Sequence, residues 1–68
     1  MPFRDQLQFD LQTRQVMTAA YDAALAKLGI DSSNPQTSKL ATAIVNLAKN
    51  GVTDPNVLCE RALAKLNQ

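Results

Sequence analysis

Met17, Tyr21, Ala24, Leu25 and Leu28 recur at three- and four-residue intervals, the spacing of one face of an α-helix. Arg14, Gln15, Asp22 and Lys27 fall mostly off that face. The pattern predicts a first helix over about 11–28. A second stripe, Leu40, Ala43, Ile44, Leu47 and Ala48, predicts a helix over about 36–50, and a third, Val57, Leu58, Ala62, Leu63 and Leu66, predicts one over about 54–67. Ahead of them the periodicity changes. Leu7, Phe9 and Leu11 alternate with Gln8 and Asp10, a period of two that suits an extended segment. On a helix carried backward from residue 11, Phe9 and Val16 would lie roughly opposite Leu7, Leu11 and Leu25. An extended or frayed arm over 1–10 fits the pattern with less conflict than a first helix beginning at Pro2.

The punctuation agrees with these boundaries. The chain has two glycines, and each closes a similar run: Leu25-Ala26-Lys27-Leu28-Gly29-Ile30 and Leu47-Ala48-Lys49-Asn50-Gly51-Val52. A glycine just past a helix takes the left-handed conformation without a Cβ clash. The apolar residue after it can fold back on the leucine four positions before the glycine, so Leu25 is expected to meet Ile30, and Leu47 to meet Val52. Shared cap chemistry accounts for the near-repeat; internal duplication is the alternative. Asp10 is a candidate N-cap for the first helix. The second begins either at Asn34 with Pro35 in its first turn or with Thr37 or Ser38 as cap. Asp54 and Pro55 open the third, where a missing proline N–H costs nothing.

Size narrows the possibilities. Sixty-eight residues make a single domain over 1–68, near the lower limit for an independent core. Chains this short usually gain stability from disulfides, a metal or association. Cys59 is the only cysteine and histidine is absent, so an internal disulfide is excluded and no zinc or other metal site is expected. Close helix packing or association with another chain remains. The hydrophobic share, 46%, is that of a folded domain, but much of it is alanine, which buries little area per residue. A thin, leucine-built core follows. No membrane-spanning run or signal-peptide pattern is present, and a cytoplasmic protein with a reduced thiol is the expectation.

Candidate chemistry is sparse. Without histidine there is no imidazole base, the six acidic residues are scattered, and both glycines serve as caps, which leaves no glycine-rich phosphate loop. No enzyme activity and no cofactor are expected. Cys59 reads as a small half-buried apolar residue rather than a redox thiol. Residues 1–34 carry three basic and four acidic groups and residues 35–68 carry four and two, for a net charge of +1. That tilt argues little for nucleic acid or a membrane surface.

Two local patterns nonetheless point toward DNA. Gly51, Val52, Thr53 and Val57 match the corner of a helix-turn-helix reader, although Leu47 and Glu60 depart from that pattern. Asp54 would also face phosphates with the wrong sign. A short alternating strand before two helices is similar to the ribbon-helix-helix repressors, with Gln6, Gln8 and Asp10 outward.

A longer pattern runs from Phe9-Asp10 and Thr13 through Ala20-Tyr21-Asp22-Ala23-Ala24 and Thr37-Ser38-Lys39-Leu40-Ala41. It continues through Ile44, Leu47-Ala48, Gly51, Asp54-Pro55, Leu58 and Ala62-Leu63. It resembles a group of short uncharacterised bacterial helical proteins over about residues 9–63. The resemblance implies a small helical protein and carries no activity or binding residues.

The expectation is therefore an all-α domain of three helices behind an N-terminal arm, acting as an interaction or structural module. Its partner is expected to be a second copy (a homodimer) or another protein. Leu7, Phe9, Leu11 and Val16 are the candidate interface, because they add apolar surface that a thin core does not easily hide. A DNA-binding regulator is the alternative.

Overall fold

The computed structural model describes Phe3 and residues 6–66. Three α-helices follow in order, α1 (Leu11–Leu28), α2 (Gln36–Lys49) and α3 (Pro55–Leu66), with no strand among the described residues. Each helix packs against the other two.

Local chemistry sets the helix ends. Asp10 is extended (φ −71°, ψ 170°), and its carboxylate accepts from the Thr13 amide at 2.7 Å, as an N-cap requires. Pro35 already has helical φ and ψ (−57°, −25°), and the Asn34 side-chain oxygen accepts from the Gln36 amide at 2.9 Å. Of the two starts open for the second helix, the structure takes the Asn34–Pro35 one. Asp54 accepts from the amides of Asn56 and Val57 at 2.9 and 3.2 Å ahead of α3.

The two glycine caps are alike in detail. Gly29 (φ 67°) and Gly51 (φ 90°) are the positive-φ residues among those described. Ile30 N–H donates to the Leu25 carbonyl at 3.2 Å and Val52 N–H to the Leu47 carbonyl at 3.1 Å, while Gly29 and Gly51 donate to Ala26 and Ala48. This pair of bonds defines a Schellman motif and satisfies carbonyls the helix would otherwise leave open.

The core is built from small and medium side chains. Met17, Ala20, Tyr21 and Ala24 come from α1, Leu40, Ala43, Ile44, Leu47 and Ala48 from α2, and Leu58, Cys59 and Ala62 from α3. All five residues of the expected α2 stripe are buried. The stripes of α1 and α3 are rotated slightly from expectation. Leu28 is 37% exposed, because the chain turns away at Gly29 one residue later, and Ala20 takes a core position instead. Leu63 and Leu66 only flank the core, Val57 is partly exposed, and Cys59 is 2% exposed rather than half-buried. Thr37 is the buried polar residue, and its hydroxyl donates to the Asn34 carbonyl at 2.7 Å, which removes the cost of burying it.

The segment before α1 departs from the alternating reading. Gln6 N–H donates to the Phe3 carbonyl at 3.0 Å and Phe9 N–H to the Gln6 carbonyl at 3.1 Å. A turn over residues 6–9 thus stands where the strand was expected. The physical reason is Phe3, which is 2% exposed and stands edge-on to Tyr21. The rest of the expected arm, residues 1, 2, 4 and 5, lies outside the described residues, as do 67 and 68.

Candidate interaction surface

The four expected interface residues do not form one exposed surface. Leu7 and Leu11 are 78% and 57% exposed, while Phe9 and Val16 are partly buried and pack against the core. The turn at 6–9 explains the division. It lays Phe9 against the bundle and leaves Leu7 facing solvent. Leu11, at the first position of α1, lies roughly 110° from the mean Met17–Tyr21–Ala24 direction at 100° per residue. Asp10 sits between the two leucines in the chain. Its carboxyl is held below the ordinary aspartate range by the hydrogen bonds from Thr13.

Two neighbouring depressions lie along α2. One, of about 400 Å³, is lined by Ser38, Lys39, Thr42, Ala43, Asn46 and Lys65, and so falls between α2 and α3. The other, of about 420 Å³, is lined by Phe3, Gln6, Ala41, Thr42, Val45, Asn46 and Lys49, between α2 and the N-terminal segment. They share Thr42 and Asn46. Gln6, on the edge of the second, is the residue before exposed Leu7. Among the described residues no carboxylate lines either depression. The lysines belong to two helices, so their grouping is a tertiary feature; the only sequence signal for it is that residues 35–53 contain no acidic residue.

The structure also bears on the two DNA-like patterns. The strand needed for a ribbon-helix-helix pairing is not formed by residues 6–10. In the helix-turn-helix pattern α3 would be the reading helix. Its N-terminal amides are already capped by the Asp54 carboxylate, which places a negative charge where a phosphate or base edge would approach. Gly29, Gly51, Asp54 and Pro55 therefore act as caps.

Among the described residues no group of histidine, cysteine, aspartate and glutamate side chains is arranged to hold a metal, and no helix is long and apolar enough to cross a membrane. Cys59 is a free, buried thiol. Comparison with protein-family models, with curated proteins and with solved structures finds no match to this chain.

Proposed function

We propose that this protein is a small self-associating interaction module whose contact surface is centred on Leu7 and Leu11. The observation that supports this most directly is the exposure of these two leucines, 78% and 57%, on either side of the Asp10 cap where the chain enters α1. Partly buried Phe9 and Val16 have a different role in this reading: they anchor the corner to the core. A cytoplasmic setting fits the single reduced cysteine.

The energetics set the expected strength. Fully burying a leucine gains roughly 1.5–3 kcal/mol, and association costs roughly 4–15 kcal/mol in lost freedom and ordering. Two leucines from each of two copies gain roughly 6–12 kcal/mol, which limits association to about micromolar at the tightest. A symmetric pair is the simplest arrangement, since one self-complementary patch closes on itself.

The test is a double variant, Leu7→Lys with Leu11→Lys, compared with the wild type by light scattering at matched concentrations. Both side chains are exposed, so the variant should melt close to the wild-type temperature while its average mass falls to that of a monomer. A wild type and variant that associate equally would exclude this corner as the contact.

A further inference from the structure

We infer that Asn50 is a covalent modification site, whose side-chain amide is lost to water when the cap at the end of α2 opens. The argument is independent of the leucine corner. Asn50 and Gly51 form the one Asn–Gly pair in the chain. Asparagine is thermolabile in general, because the backbone nitrogen of the next residue can attack its side chain. Asn34 precedes Pro35, which has no N–H to react. Asn46, Asn56 and Asn67 precede Leu47, Val57 and Gln68, whose side chains crowd that nitrogen. Gly51 has no Cβ to hinder it.

The reaction balances with water alone. The Gly51 nitrogen gives up its proton and bonds to Cγ of Asn50. The Cγ–Nδ2 bond breaks, and ammonia leaves with that proton. Water then opens the cyclic imide at one of its two carbonyls. Position 50 becomes either an aspartyl residue or an isoaspartyl residue, whose backbone runs through Cβ. Nothing is oxidised or reduced.

The folded corner blocks the first step in three ways. At ψ 10° for Asn50 the Gly51 nitrogen eclipses the Asn50 nitrogen and is turned away from Cβ, so the ring cannot close without rotation about Cα–C. The Gly51 N–H donates to the Ala48 carbonyl at 3.0 Å. The Asn50 Nδ2 donates to the Asn46 carbonyl at 3.0 Å. All three restraints end together when the last turn of α2 unwinds. Asn50 and Gly51 are exposed, and Val52 is the neighbouring residue that packs against the core. Opening the corner therefore bares little apolar surface and needs no global unfolding. The product does not restore the cap. Its carboxylate meets the negative end of the α2 dipole, and the extra backbone carbon of the isoaspartyl form shifts the Gly51 and Val52 N–H groups from the carbonyls they cap. Modification thus loosens the joint between α2 and α3.

Peptide mass spectrometry of the full chain, incubated at mildly alkaline pH in native buffer and in urea, tests this. The mass change of NH replaced by O should appear first at Asn50, and at least about tenfold faster in urea than in native buffer. Asn50→Gln should remove it, because the attack would then have to close a larger ring. Val52→Ala, which loosens the corner and keeps both reacting residues, should raise the native rate several-fold and leave the urea rate unchanged. Reaction that appears first at another asparagine, or not at all in urea, overturns the site. Equal rates in native buffer and urea, or a native rate indifferent to Val52→Ala, overturn its control by the cap.

Discussion

The Phe3 ring meets Tyr21 edge-on, with centroids 5.6 Å apart and planes at 89°, an arrangement aromatic pairs favour. It fastens the N-terminal segment to the middle of α1. Phe3→Ala is expected to cost about 3 kcal/mol or more, a large share of the stability available to a domain this small. Urea unfolding should show the loss, with Phe3→Leu recovering much of it. An unchanged midpoint for Phe3→Ala would mean that the ring is not part of the core.

The glycine caps make a cleaner comparison. A Cβ placed on Gly29 or Gly51 would meet nothing within 4 Å, so substitution there costs backbone conformation and not crowding. Gly29→Ala and Gly51→Ala should each destabilise by about 1–2 kcal/mol. Gly51→Asn should cost less, because asparagine tolerates the left-handed region. Thermal melts of the three variants check the order.

Acid should loosen the start of α1 and the loop after it. Hydrogen bonds from Thr13 lower the Asp10 pKa, and hydrogen bonds from Ser33 lower that of Asp31. A carboxyl with a lower pKa in the folded state contributes stability that is complete above the unfolded value, about 3.9. That contribution disappears as the pH falls through the folded value. Stability should therefore decline below about pH 4, and Asp10→Asn, which keeps a capping oxygen, should flatten the part of that decline due to Asp10. Denaturant midpoints measured from neutral pH downward would show it.

Cys59 offers a probe of the core itself. At 2% exposure its thiol is sheltered, so labelling by a thiol reagent should be slow in the native state and fast in urea. Destabilising Phe3→Ala should accelerate it, because exposure then follows the opening of the bundle. Rapid labelling of the native wild type would contradict the packing of α3.

What was legible in the sequence was mostly local. Caps depend on a few adjacent residues, so Asp10, Asp54–Pro55 and the two glycines could be placed from their neighbours alone, and helix limits followed within a residue or so. The stripe on α2 was equally plain because its large residues, Leu40, Ile44 and Leu47, share one face. In α1 the alanines blur the boundary between core and surface: Ala20 and Ala24 are buried, whereas Ala19, Ala23 and Ala26 are exposed. Phe3 was not readable as a core residue because its burial depends on Tyr21, eighteen positions away, and on turns at 6–9 that contain neither glycine nor proline. The same turns separate Leu7 from Phe9, which alternation alone had placed together. The depression between α2 and α3 was hidden for a similar reason, since Lys65 joins Lys39 only through the packing of α3 on α2.

Self-association through the leucine corner is the central claim, and sedimentation velocity of the wild-type protein over a wide concentration series tests it most directly. The account predicts a sedimentation coefficient that rises with concentration toward that of a dimer, at about micromolar concentrations or above. It also predicts that the rise disappears in the Leu7→Lys/Leu11→Lys variant. A single monomeric boundary at every concentration, identical in both proteins, would contradict it.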